Sequence, residues 1–408
     1  MACEKKVQLP MNATNTKRKE KDTSKISMKN LTICILGILI FYKVLNVRNS
    51  WQNIKIKPIF TVNFSSTYTS SPSLISTQQS TDNIRKFAVF ASSIHSELRS
   101  YIFYTPITAA AWQRIGYDVI VIFVGDFTTN NNDRSLSKQL NITRTLLKRL
   151  DVHVIDFQCN SSYSIKISQL VRIFTGFLSD SIIKDTDYII TTDSDIIPMR
   201  KDDYILKNNR DGFIYNAFCC GTFTRRGKVY KMYPMSHIYL SKQLWRNLFL
   251  ESIQRKELLN SNLSSLNTIL LSDNAPFSFD TISLYTRHEF GQIYDSNMKK
   301  GDSAWYMDQV YSSMLLDDYC EKHPNIIIDK FHKTSMRLDP DLSQQFWQPQ
   351  SFKRFGDAHI IHDEIFDSHR WASFKNLLFY MFNSSLANDF DLYYKEFILT
   401  LRNKPEDH

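Results

Sequence analysis

Apolar positions along this chain fall into short continuous runs that alternate with longer segments of helical period. Phe87-Ala-Val-Phe-Ala91 and Val119-Ile-Val-Ile-Phe-Val124 are wholly apolar, and Gly125-Asp126 closes the second. Both predict strands buried on two faces. Apolar residues recur at three- and four-residue spacing over 100–114, with Gly116 as a stop, and again over 136–150; these predict helices. A third strand fits 152–157, a third helix 165–183, and Tyr188-Ile-Ile-Thr-Thr192 is the fourth strand. The alternation predicts an α/β fold with a mostly parallel, Rossmann-like central sheet flanked by helices. Ligands of such sheets sit beyond the carboxyl ends of the strands, which directs attention to the residues after Thr192.

Further along, the alternation loosens. Residues 213–218 and 236–240 read as strands, 242–254 as a helix, 261–275 as a loop, 305–316 as a helix and 326–328 as a short strand. Residues 377–382 and 390–401 read as closing helices, and no internal repeat is visible.

The N-terminal part has a different pattern. Leu31 to Tyr42 is apolar apart from Thr32, and Val44 and Leu45 extend the run past Lys43. A bilayer span usually takes about 17–25 residues, so a run this short also suits a buried helix or the apolar part of a cleaved signal peptide. Three features favour an uncleaved anchor over 31–46: a long preceding segment, no small-x-small cleavage site after it, and a lysine able to snorkel to the interface. Residues 1–30 hold eight Lys/Arg against three acids, so by the positive-inside rule the tail is cytosolic and the body luminal. A short span suits the thinner membranes of the early secretory pathway. Residues 47–84, rich in Ser, Thr, Gln and Asn, read as a flexible stem, leaving 85–408 as the luminal catalytic domain.

Composition narrows the class. Hydrophobic residues make up 43% of the 408 positions and aromatics 13%, enough for a large core, which excludes wholesale disorder. The net charge of +9 suggests nucleic acid, but five of those nine charges belong to the N-terminal tail, and the body lacks the basic stripe of a nucleic-acid binder. Sequons at Asn63, Asn141, Asn160, Asn262 and Asn383 permit a luminal location. Cys159, Cys219, Cys220 and Cys320 allow one or two disulfides there. Neighbouring cysteines rarely bond each other, so Cys219 and Cys220 are each expected to have a distant partner. No Cys/His zinc spacing is present.

Asp-x-Asp occurs four times, at Asp185/Asp187, Asp193/Asp195, Asp339/Asp341 and Asp389/Asp391. Three read as solvated turns or helix starts: Asp185 precedes a strand, Asp339 flanks Pro340, and Asp389 opens a polar helix. Asp193-Ser194-Asp195 differs because a buried strand delivers it to the sheet's carboxyl edge. Two carboxylates there are costly unless a cation neutralises them. Hard divalent ions are commonly held by one or two carboxylates plus substrate phosphates, so the pair reads as a metal clamp for a pyrophosphate.

The order strand, helix, strand, helix, followed by Ile-Ile-Thr-Thr-Asp-Ser-Asp-Ile-Ile-Pro, resembles the GT-A-fold nucleotide-diphospho-sugar transferases over roughly residues 86–365. Ser168-Gln-Leu-Val-Arg172-Ile-Phe is similar to the arginine-bearing helix of the glycogenin-like family 8 branch. The resemblance implies a sugar-phosphate role for Arg172, a position that equally suits a surface helix residue. His237 to Trp245 resembles the strand and helix of the acceptor-side floor. Trp305-Tyr-Met-Asp308-Gln309 resembles the family's Asp-Gln element near the transferred sugar, although an acid early in a helix is also ordinary dipole capping. The Gly-x-x-Lys-Pro-Trp loop of family 8 is absent.

The resemblance implies nucleotide-sugar contacts from Arg172, Asp193, Ser194, Asp195 and Gln309, and Asp308 is the candidate base if configuration is inverted. Mn²⁺ or Mg²⁺ is expected on Asp193 and Asp195, with a late histidine as third ligand. His359 is favoured over His362: an extended 358–362 would send the two to opposite faces, and Gly356-Asp357 would turn His359 beneath the aspartates. A histidine hydrogen-bonded in a packed strand is the plain alternative. The expected protein is therefore a type II Golgi glycosyltransferase using a nucleotide-diphospho-sugar donor and a glycan or glycoconjugate acceptor, with no nucleic acid. A catalytically silent luminal lectin or chaperone on the same fold is the alternative, and intact Asp193 and Asp195 favour the enzyme. A soluble nucleotidyltransferase is disfavoured by the anchor and the lack of a Gly-rich phosphate loop.

Overall fold

Strand β1 (Lys86–Ser93) sends Phe87 and Val89 to one face and Ala88 and Phe90 to the other, and all four are buried. Both faces are thus covered, which is why the run carries no polar alternation. A computed structural model describes residues 84–128, 133–261, 264–296, 298, 304–331 and 335–402. The basic tail, the expected anchor and the stem to residue 83 lie outside them. Among the described residues no helix is long and apolar enough to cross a membrane.

Helix α1 (Arg99–Arg114) follows, then β2 (Asp118–Gly125), α2 (Arg134–Arg149) and β3 (His153–Gln158). Pro106 stands inside α1 and cannot donate to the Ile102 carbonyl. The Thr105 hydroxyl donates to that oxygen instead, at 2.8 Å. The expected helix over 165–183 is shorter and tighter: α3 (Ser164–Leu170) passes into a 3₁₀ segment, Val171–Phe177. Gly176 lies in it, pressed against the backbone of α4 (Lys242–Leu250). A Cβ there would come within 2.7 Å of Arg246 Cα and 2.8 Å of the Trp245 carbonyl carbon. Gly176→Ala is therefore expected to cost about 1–3 kcal/mol, read as a lower urea midpoint at unchanged slope.

β4 (Tyr188–Thr191) pairs with β1, and β5 (Ile196–Pro198) follows the aspartate motif. Next come β6 (Gly212–Tyr215), the hairpin β7 (Thr222–Arg225) and β8 (Lys228–Lys231), and β9 (Ile238–Ser241). The main sheet has the order β10-β6-β9-β4-β1-β2-β3, where β10 is Ile328–Phe331. Only β9 runs antiparallel to its neighbours. The chain leaves β1 towards β2 and β3 and returns to β4 on the other side of β1. The connections therefore diverge between β1 and β4, where a crevice opens at the carboxyl edge.

The expected helix over 242–254 is broken: Ser252 caps a second helix, α5 (Ile253–Leu259), through its hydroxyl and the Arg255 amide. The expected loop at 261–275 contains α6 (Ser265–Leu270). Helix α7 (Phe279–Phe290) falls where no element was expected, and α8 (Gln292–Asp295) is one turn. α9 (Met307–Lys322) begins with the Asp308-Gln309 pair. A three-stranded sheet of order β11-β12-β5 then forms from β11 (Met336–Leu338), β12 (Phe355–His359) and β5. The short α10 (Pro349–Phe352) precedes β12, and α11 (Ser368–Met381) and α12 (Ser384–Arg402) close the chain.

Candidate functional site

Asp193-Ser194-Asp195 leaves β4 at the carboxyl edge, where the ends of β1 and β4 and Asn216 after β6 border a cleft of about 410 Å³. Helix α1 fixes the motif from behind. Its Thr108 hydroxyl donates to the Ser194 carbonyl at 2.5 Å, and one turn earlier the Tyr104 hydroxyl donates to the Ile361 carbonyl at 2.5 Å. One helix face thus holds both the aspartate loop and the late histidine segment. Arg172, Asp193, Ser194, Asp195, Asp308, Gln309 and His359, the residues singled out from sequence, all line this cleft.

Arg172 is buried on the 3₁₀ segment and is no surface residue. Its guanidinium donates to the Thr192 carbonyl at 2.9 Å and to Asp308 Oδ2 at 2.8 Å, and pairs with Asp193. Burial disfavours the guanidinium's charge, but Asp193 and Asp308 outweigh it and hold its pKa above the usual value. Asp308 also accepts the Gln309 amide at 2.7 Å. Burial pushes its carboxyl up to about 6, with Arg172 opposing and Asp193 adding to the rise.

Asp195 is buried, and its Oδ2 lies 3.3 Å from His359 Nε2. The cause is strand pairing. β12 runs antiparallel to β5 with His359 opposite Ile196, and the Ile360 amide donates to the Asp195 carbonyl at 2.8 Å. Burial works against the Asp195 charge, but the hydrogen bond and charge of His359, aided by His362, hold its pKa below the ordinary value. His359 is pushed up to about 10: burial opposes the imidazolium, while Asp195 and Asp339 stabilise it.

Two expectations need correction here. Gly356-Asp357 is not a turn but part of β12, where a Cβ on Gly356 would press on Asp203, on Ser335 and on the Tyr215 hydroxyl. The extended run stops at His359, so the alternation argument does not reach His362. Both imidazoles line the cleft, their rings 6.3 Å apart, and His362 packs against Tyr101 at 5.2 Å. Asp339 does open the expected turn, its carbonyl accepting the Leu342 amide at 3.1 Å, and its carboxylate in addition lies 3.5 Å from His359 Nδ1. Asp185, Asp187, Asp389 and Asp391 do serve structure: Asp187 accepts the Arg85 and Lys184 amides, and Asp391 the Trp371 indole N–H.

The segment from His237 to Trp245 lies beneath the cleft. His237 sits among Trp112, Tyr204 and Tyr215, with ring centroids 5.0–5.5 Å away, and Trp245 is wholly buried. None of the segment's residues lines the opening, which is reached instead by Pro234, Met235 and Ser236 just before it. Cys219 and Cys220 also line it, and they are bonded to each other, contrary to expectation. A tight turn after β6 brings them together, with Asn216 and Gly221 at positive φ and the Cys219 amide donating to the Asn216 carbonyl. Cys159 and Cys320 are free.

Among the described residues no three His, Cys, Asp or Glu side chains converge as a ready metal-ligand set, and Asp193 is paired with Arg172. Asp193, Asp195 and His359 nonetheless offer two carboxylates and an imidazole to the cleft, a combination that suits Mn²⁺.

No protein-family model matches the sequence, and no curated protein matches it. Among solved structures the chain is similar to the galactosyltransferase LgtC, described in complex with donor and acceptor sugar analogs, at 10% identity and TM-score 0.33. That alignment covers 78% of this chain and 98% of LgtC. It is also similar to the glycosyltransferase GlyE of Streptococcus pneumoniae TIGR4, at 11% identity and TM-score 0.20, over 77% of this chain and 91% of GlyE.

Proposed function

We propose that this chain is a metal-dependent glycosyltransferase of GT-A type. In this reading it moves a sugar from a nucleotide-diphospho-sugar to a hydroxyl of a glycan, glycoprotein or glycolipid. The observation that carries the reading is the meeting of Asp193, Asp195 and His359 with the buried Arg172–Asp308 pair in one cleft at the β1/β4 divergence. Asp193, Asp195 and His359 would hold Mn²⁺ or Mg²⁺, Asp193 turning from Arg172 to do so. Bound there, the ion would neutralise charge on the departing nucleoside diphosphate.

The chain's own groups supply the rest. Arg172 is locked by the Thr192 carbonyl and by Asp308, and once Asp193 turned to the metal its guanidinium would face an anionic donor at the cleft wall. Asp308, with a pKa of about 6, is mostly ionised at neutral pH yet more basic than an ordinary carboxylate. That suits it to accept the acceptor hydroxyl's proton in an inverting transfer. Gln309 offers an amide to the sugar from the next helical position. Burial and the nearby Asp195 and Asp193 raise the Tyr101 hydroxyl's pKa, so it remains a donor at the cleft mouth.

The basic flank before residues 31–45 supports a single-pass type II placement in the Golgi membrane with the catalytic domain luminal. Incubating the full chain with a panel of nucleotide-sugars should release nucleoside diphosphate from one donor class, in the presence of Mn²⁺ and not of chelator. No release from any donor, with retained glycan binding, would favour the silent carbohydrate-binding alternative. In sealed microsomes the large domain should resist protease until detergent is added; digestion without detergent would end the luminal placement.

A further inference from the structure

β11 runs parallel to β12 with Leu338 opposite Ala358, and β5 runs antiparallel on the other side with Ile196 opposite His359. The residue after β11 is Asp339 and the residue before β5 is Asp195. Backbone pairing alone therefore delivers one carboxylate to each flank of His359. The side chains complete the arrangement: Asp195 Oδ2 is 3.3 Å from Nε2 and Asp339 Oδ1 is 3.5 Å from Nδ1. Arg337, two residues before Asp339, is paired with the buried Asp357 at 2.8 Å.

An imidazole can present only one nitrogen as a metal ligand while the other keeps its proton, and the partner of that proton decides which. We propose that Asp339 is a positioning residue: it holds the Nδ1–H of His359 and thereby keeps Nε2 facing Asp195 and the cleft as the ligand for a divalent cation. The inference rests on the metal-dependent reading of this site. It assigns Asp339 no contact with substrate or metal. Its carboxylate is 44% exposed, so the fold does not depend on it.

The test uses Mn²⁺ alone as probe, titrated into the full chain in detergent and followed by the loss of the free-ion paramagnetic resonance signal. Thermal midpoints are measured in parallel. His359→Ala should lose most of the binding. Asp339→Ala should weaken it about 10- to 100-fold, as outer partners of metal-ligating histidines generally do. Asp339→Glu, which keeps a carboxylate within reach, should recover part of that loss. All midpoints should stay near that of the parent chain. If Asp339→Ala binds Mn²⁺ like the parent while His359→Ala does not, Asp339 has no positioning role and the metal reading stands. If His359→Ala binds like the parent too, the imidazole is no ligand and the proposal falls, whereas a parent chain that binds no Mn²⁺ would end the metal reading itself.

Discussion

Asp195→Asn is expected to reduce metal-dependent transfer by about 10²–10³-fold, the usual cost of removing one charge-stabilising group from an active site. The substitution keeps the size of the side chain and leaves the backbone carbonyl bonded to the Ile360 amide, so the aspartate loop should not move. His359 more than offsets the burial cost of the Asp195 charge, but in the variant the imidazole keeps Asp339 and can shed its proton, so the fold should hold with a lowered thermal midpoint. Initial rates at saturating Mn²⁺, with a chelator control, measure the effect. Full activity would place the metal clamp elsewhere, and an unfolded variant would make the pair structural.

Arg172→Met should act on the fold itself. The guanidinium is the shared partner of Asp193 and the deeply buried Asp308, and its loss leaves a carboxylate without a counter-charge. Such a loss costs about 3–5 kcal/mol. The pH dependence has a definite sign. The Asp308 carboxyl already titrates at about 6, above its unfolded value, so its ionisation opposes folding and stability declines as pH rises through that window. Without Arg172 the carboxyl moves higher still, so the variant's deficit should be smaller at pH 5 than at pH 8. Urea denaturation at both values tests this. Arg172→Met combined with Asp308→Asn should recover much of the stability, and no recovery would place the damage in lost packing.

Strands β1, β2 and β4 were legible because each is buried on both faces and announces itself as a largely apolar run, whereas β3 lies at the sheet edge and is only partly buried. The expected limits at 119–124 and 188–192 fall within a residue of β2 and β4. The three-residue strands β5 and β11 carry too few positions for any period to appear, and the polar β12 contains Gly and Asp. Yet these three strands assemble the histidine side of the cleft. Asp339 was missed for a related reason: Asp-Pro already explains itself as a turn, and only a partner twenty residues later gives it a second meaning. Arg172 was found through a resemblance; its burial follows from the tightening of α3 into a 3₁₀ segment, which no local pattern revealed.

The bond between Cys219 and Cys220 joins chain neighbours and so encloses no loop. Cross-links stabilise domains largely by shortening the paths open to the unfolded chain, and that gain becomes smaller as the ring they close becomes shorter. Here the ring spans one peptide unit, and the other two described cysteines carry free thiols. The cohesion of the domain is thus indifferent to the redox potential of its surroundings. A reducing medium would reshape one wall of the cleft and leave the rest of the fold standing.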